Sequence, residues 1–310
     1  QMCIRDSLIP VYNEAENLEW HHSIISKHMK AADYKYELIY IDDGSTDNSL
    51  QLIKELSKGK ETRYIALSRN FGKEAATSAG LANAKGDVAL IMDADGQHPI
   101  EMLNTFMKHW QSGHEVIVGV RISNEGEGYV KRYGSKIFYK VLHAIGGRDV
   151  TPGSTDFCLL DRKVVVQFNS LTERNRVARD LISWLGYKRV EVPFRAKSRH
   201  AGPATYSTRK LFALALNSLI SHSTRPLKIV AVLGLFISTV SATAVVMLGA
   251  QKYLLGDPLG SLVTGSGILA LFTSFLVGIV LVCQGLLALY LESVYYEAQN
   301  RPLFVIREQG

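Results

Sequence analysis

The 310-residue chain has few cysteines, only Cys3, Cys158 and Cys283. An odd count without paired spacing excludes a disulfide framework and a metal knuckle, and it reads as reduced thiols in a cytosol-facing protein. With 47% hydrophobic and 21% charged residues and no short-period repeat, the chain is neither disordered nor fibrous. No G-x-G-x-x-G follows an apolar run, which removes the nicotinamide-dehydrogenase class. The first thirty residues carry charges throughout and lack an apolar core of about 7–15 residues, so no secretory signal peptide is expected there. Charge is scarcest between Ile229 and Leu291, where only Lys252 and Asp257 are ionic.

Two uncharged stretches lie in that interval, 22 residues from Ile229 to Ala250 and 30 from Leu262 to Leu291. Each is long enough for a helix to cross a hydrocarbon core of about 30 Å. The short Gly-Asp-Pro connection predicts a two-helix transmembrane hairpin. Arg195, Lys197, Arg199, Arg209, Lys210, Arg225 and Lys228 precede the first stretch, and Arg301 and Arg307 follow the second. That bias places both outer ends in the cytoplasm. The expected organisation is a cytoplasmic domain over 1–207, an interfacial helix over 208–228, membrane helices over 229–250 and 262–291, and a cytoplasmic tail over 292–310. Gly265 and Gly267 would let hairpins associate into a homo-oligomer.

No acidic residue occurs from Val192 to Gly256, against eight basic ones, so the net +6 of the chain leaves the remainder at −2. This basic collar fits an anionic membrane surface and a lipid phosphate, and it makes a nucleic-acid partner unexpected. Two amphipathic stretches, Val130–Leu142 and Leu211–Ile220, fit either core packing or the bilayer surface.

The first two hundred residues alternate short apolar runs with helical periods. Leu38–Ile41, Tyr64–Leu67, Val88–Met92 and Val116–Val120 read as buried strands, with helices over Lys73–Ala84 and Pro99–Ser112 between them. The expected fold class is α/β, a parallel sheet covered on both faces, whose ligands bind at the carboxyl ends of strands. Gln1–Ser7 interrupts the apolar pattern of the first strand, leaving only Leu8 and Ile9 clearly apolar before Pro10, as a foreign beginning would.

The strand ends are acidic. One gives Pro10-Val11-Tyr12-Asn13-Glu14, where Asn13 and Glu16 have the spacing of a capping box. Another gives Asp42-Asp43-Gly44-Ser45-Thr46-Asp47, a pattern that fits a turn and helix cap as well as a site. A third gives Asp93-Ala94-Asp95-Gly96-Gln97. Two carboxylates at the end of a buried strand repel each other unless a cation lies between them. Alternate strand residues point the same way, so Asp93 and Asp95 are expected to share one Mg²⁺ or Mn²⁺, with coordination positions left for the oxygens of a diphosphate.

Those three motifs, together with Arg69-Asn70-Phe71-Gly72-Lys73, resemble family 2 glycosyltransferases from about Leu8 onward. The hairpin and the tail Arg301-Pro302-Leu303 narrow the resemblance to the polyprenyl-phosphate branch. It implies a Rossmann-like, nucleotide-sugar-binding domain of GT-A type. Its nucleotide-sugar site would be lined by Pro10, Tyr12, Glu14, Asp42, Asp43, Lys73, Asp93 and Gln97, with Asp93 and Asp95 on the metal. Asp156, in Ser154-Thr155-Asp156-Phe157, and Asp95 would be catalytic, and Arg121, Arg132, Arg195 and Arg199 would meet phosphates or the acceptor. After Arg199 and Gly202 the chain reads Ala204-Thr205-Tyr206, without the lysine usual in the family.

The resemblance implies an inverting transferase moving one sugar, glucose from UDP-glucose by expectation, to undecaprenyl phosphate at the cytoplasmic face of a bacterial inner membrane, for cell-envelope or O-antigen glycans. Mannosyl or aminoarabinosyl transfer is the neighbouring reading. A processive polysaccharide synthase would need more membrane helices and a Gln-x-x-Arg-Trp motif that Arg179 to Trp184 does not supply. A membrane-anchored nucleotide-sugar-binding scaffold would form no labelled glycolipid, which separates it from an enzyme.

Overall fold

The computed structural model describes residues 5–31, 35–122, 154–174, 176–195 and 265–310, with scattered positions between 232 and 243. Residues 123–153 and 196–231, and with them Arg132, Arg199, both amphipathic stretches and the Ala204-Thr205-Tyr206 loop, lie outside the described residues. So does most of the first uncharged stretch. The chain divides into two compact units, one holding the sheet and the other holding the long C-terminal helix.

In chain order the first unit runs β1 (Arg5–Val11), α1 (Ala15–Ala31), β2 (Tyr36–Asp42), α2 (Ser49–Leu56), β3 (Thr62–Leu67), α3 (Lys73–Asn83), β4 (Val88–Ile91), α4 (Met102–Gln111) and β5 (Val116–Arg121). It continues through β6 (Ser154–Asp161), α5 (Arg162–Ser170), α6 (Ala178–Trp184) and β7 (Arg189–Phe194). The long helix α7 spans Gly265–Ala298, after which β8 (Ile306–Gln309) returns to the first unit. Within α7, Phe275–Ala298 is a 24-residue stretch apolar enough to cross a membrane.

The sheet has eight strands in the order β7-β5-β6-β4-β1-β2-β3-β8. The expected strands form, because runs such as Val88–Ile91 are apolar on both faces and are covered by helices on both. The expectation of a parallel sheet needs one correction: β6 runs antiparallel between β4 and β5, and β8 runs antiparallel on β3, so the sheet is mixed.

A second correction concerns the first strand, which begins at Arg5 and keeps register with β2 over its whole length. Asp6 and Ser7 are fully buried within it. Asp6 Oδ2 accepts from the backbone N–H groups of Lys85 and Gly86, while burial pushes its carboxyl above the usual range. Ser7 sits between Leu38 and Leu90 in the sheet, and its Oγ has no hydrogen-bond partner. Ser7→Val, which would extend the apolar face of Ile9, Leu38 and Leu90, is therefore expected to stabilise the fold by about 1–2 kcal/mol, read as a higher thermal unfolding midpoint.

Candidate active site

The topology gathers the polar ends at one edge. β1, β2 and β4 run parallel, so their carboxyl ends share one edge, with Val11 beside Asp42 and Ile91 beside Leu8. Because β6 runs antiparallel to β4, its first residues lie beside the end of β4, and Asp156 joins the edge from the opposite chain direction. β5 and β7 run with β4, so Arg121, the last residue of β5, and Arg195, just past β7, leave the sheet at this edge.

The loops after β1 and β2 lock to each other. Asn13 takes a positive φ of 55° and its Oδ1 accepts from Thr46 N at 2.8 Å. The backbone N–H groups of Asn13, Glu14 and Ala15 donate to Ser45 Oγ, Ser49 Oγ and Asp47 Oδ2. The expected capping box is therefore replaced: the neighbouring loop caps α1, and Asn13 is spent on Thr46. Pro10 is half-buried in β1, Tyr12 is exposed, and Glu14 accepts from Asn17 Nδ2 at 2.7 Å.

Asp42 and Asp43 part company. Asp42 is buried at the strand end, where its carboxylate accepts from Ser45 N and burial raises its pKa above the usual carboxylate range. Asp43 accepts from Phe71 N at 2.7 Å and from Gly72 N at 2.9 Å, so both of its oxygens fix the turn that opens α3. Gly44, at φ 67°, lets the two loops touch, since a Cβ there would come within 2.4 Å of the Arg69 backbone. Asp43→Ala would leave two backbone donors without their carboxylate. It is expected to cost about 2 kcal/mol, measured by thermal unfolding, and to lower activity through the loosened Lys73 turn.

Lys73, the first residue of α3, is the centre of the site. Its Nζ lies 2.5 Å from Asp93 Oδ1 and 2.8 Å from Asp156 Oδ2. Burial disfavours its charge, but the two carboxylates outweigh it and hold the ammonium pKa above its ordinary value. Burial likewise opposes ionisation of Asp156, yet Lys73 and then Arg179 keep its carboxyl below the usual range.

Asp93 and Asp95 lie beyond β4 in a turn, so strand alternation does not place them. Asp95 Oδ1 accepts from Gln97 N at 3.0 Å, and Gly96 takes a φ of 73° against the Trp20 ring. Two carboxylates suit a hard divalent ion, but among the described residues no three His, Cys, Asp or Glu side chains converge as a complete metal site. Any such ion would draw further oxygens from a substrate.

Three neighbours had no reading in the sequence. His98 accepts from Asp93 N through Nδ1 at 3.0 Å and stacks on Phe157, and burial lowers its pKa below the ordinary imidazole value. Glu74 accepts from Ala178 N at 2.7 Å, tying the start of α3 to the start of α6. Arg179 follows on α6 and lines a cleft with Glu74, Thr77, Thr155 and Asp156. The one available signal was the position of His98 and Glu74 directly beside motif residues.

A mixed α/β sheet with carboxylates gathered at its carboxyl edge is the GT-A glycosyltransferase fold. The chain belongs to glycosyl transferase family 2, whose family model matches residues 7–168, and it is a glycosyltransferase. A Synechocystis protein described as an uncharacterized glycosyltransferase is 35% identical, the match covering 97% of this chain and 94% of that one. The SfII prophage-derived bactoprenol glucosyl transferase of Shigella flexneri is 31% identical over 97% of this chain and 96% of its own. Among solved structures, glucosyl-3-phosphoglycerate synthase from Mycobacterium tuberculosis in complex with Mn²⁺, UDP and phosphoglyceric acid superposes with a TM-score of 0.51 at 18% identity. That match covers 71% of this chain and 78% of that one, and it speaks for the fold.

Proposed function

We propose that this protein is an inverting, metal-dependent transferase that moves glucose from UDP-glucose to a polyprenyl phosphate at the cytoplasmic face of a bacterial membrane. The observation that carries the reading is the Lys73, Asp93 and Asp156 cluster at the sheet edge. The near-full-length likeness to a bactoprenol glucosyl transferase supplies the donor sugar and the acceptor class.

Asp93 and Asp95 would hold Mg²⁺ or Mn²⁺, which when bound supplies a Lewis acid for the departing diphosphate. Pro10, Tyr12, Glu14, Asp42 and Gln97 would border the nucleotide sugar, and Asp43 would hold the Lys73 turn in place. The acceptor phosphate, with a second pKa of about 6, is largely a dianion at neutral pH and needs little help from a base. Its oxygen forms the new bond to the anomeric carbon as the bond to UDP breaks, so Asp156 acts by position. Arg121 and Arg195 leave the sheet at the same edge and would guide phosphate; Arg132 and Arg199 keep the roles that the resemblance implies.

Chain parity supports a membrane hairpin. β8 follows α7 and pairs with β3, so residues on both sides of the membrane-length helix share one sheet. A chain that crosses a bilayer in α7 must cross once more before it, and the uncharged stretch 229–250 is the segment able to do so. The test is a donor screen with membranes containing the protein, undecaprenyl phosphate and labelled UDP- and GDP-sugars. Labelled glucolipid from UDP-glucose is expected. GDP-mannose preference would move the reading to mannosyl transfer, and no glycolipid from any donor would leave a binding scaffold.

A further inference from the structure

One of the two carboxylates expected on the metal already has a cation. Lys73 Nζ is shared between Asp93 and Asp156, and Asp95 Oδ1 accepts from Gln97 N. A divalent ion arriving alone would meet an ammonium of the same sign well inside the screening length of about 10 Å. The surroundings offer the ion little to replace Asp93: His98 Nδ1 already accepts from Asp93 N, Asp43 is spent on the Phe71 and Gly72 backbone, and among the described residues no third metal-capable side chain completes a site. A nucleoside diphosphate changes both terms at once, because its oxygens add ligands for the ion and give the ammonium another anion. The lysine can make the exchange, since its point charge rides on a flexible four-carbon stem.

We propose that Lys73 is an internal counter-cation that makes divalent-metal binding conditional on the nucleotide diphosphate. The proposal rests on the nucleotide-sugar reading above. Without nucleotide, Lys73 satisfies Asp93 and Asp156 and keeps the edge assembled; with nucleotide, it leaves Asp93 for the ion. Metal and nucleotide then bind as a coupled pair, each raising the affinity for the other by the same factor.

The test measures Mn²⁺ binding to the purified full chain in detergent, by the electron paramagnetic resonance signal of free Mn²⁺, with and without UDP. No sugar is present, so turnover does not enter. Wild type is expected to bind Mn²⁺ weakly alone and about tenfold or more tightly with UDP. Lys73→Met should bind Mn²⁺ alone about tenfold more tightly than wild type and lose most of the UDP enhancement, while Lys73→Arg, which keeps the charge, should follow wild type. A gain of affinity is a result that an unfolded variant does not mimic, and Lys73→Gln repeats the measurement if the methionine variant does not fold. Lys73→Met binding Mn²⁺ no more tightly than wild type, or keeping the full UDP enhancement, overturns the proposal. So does wild type with equal Mn²⁺ affinity in both conditions, a result that needs no variant. Wild type that binds neither Mn²⁺ nor UDP overturns the nucleotide-sugar reading itself.

Discussion

Asp156→Asn is expected to lower turnover of sugar transfer by about 10²-fold or more while UDP affinity stays within about threefold. The side chain stands at the start of β6, where the antiparallel strand delivers it beside Asp93, and its Oδ2 holds Lys73 at 2.8 Å. Asn keeps the shape and loses the charge, leaving Lys73 with Asp93 alone. Burial opposes ionisation of Asp156, but the lysine outweighs it, so the carboxyl stays below the usual range and is ionised at neutral pH. Such a group is a weak base, and the proposed acceptor, already largely a dianion, asks for none. The acid limb of the rate profile should therefore sit near pH 6, set by the lipid phosphate, in both wild type and variant. Initial rates with labelled UDP-glucose across about pH 4 to 8 decide the matter. An acid limb in the carboxylate range that vanishes in Asp156→Asn would make it a general base, and nearly full turnover would remove it from the mechanism.

The strands were legible because a strand buried on both faces must be apolar at every position, as Val88–Ile91 is. Their order was not. Nothing in Ser154–Asp161 records that it inserts antiparallel between β4 and β5, because pairing partners are chosen by the sheet as a whole. The same holds for Ile306–Gln309, which closes the far edge after α7. Asp6 and Ser7 misled in the other direction: two polar residues argued against a strand, yet pairing with β2 and β4 carries them into the core. The spacing of Asn13 and Glu16 suggested a local cap, but β1 and β2 lie side by side, and Thr46 and Asp47 reach the helix start from another loop.

Within the site, residue types were legible and partnerships were not. Carboxylates at three strand ends followed from the pattern alone. That Asp43 is spent on the Phe71 and Gly72 turn, while Asp93 meets Lys73, depends on loops that are adjacent only after folding. Lys73 stood among the residues expected around the nucleotide sugar, and in the structure it is ion-paired with Asp93 and Asp156.

Asp95→Asn is expected to reduce transfer by about 10³-fold, and chelation by EDTA to abolish it in the wild type. Of the two carboxylates proposed for the metal, Asp95 is the one not paired with Lys73. It is nearly buried, and its Oδ1 accepts from Gln97 N in a turn that Gly96 holds against Trp20. An asparagine Oδ1 accepts the same bond, so the turn persists and one negative charge goes. Replacing Asp93 would instead release Lys73 and mix two effects. The departing diphosphate carries the charge that must be stabilised as the glycosidic bond breaks, and Lys73 is a single monocation already shared between two carboxylates. Added Mn²⁺ should restore the chelated wild type and leave Asp95→Asn inactive, as measured by labelled glycolipid. Transfer that survives both EDTA and the substitution would sink the metal assignment and leave Lys73 as the cation that receives the leaving group.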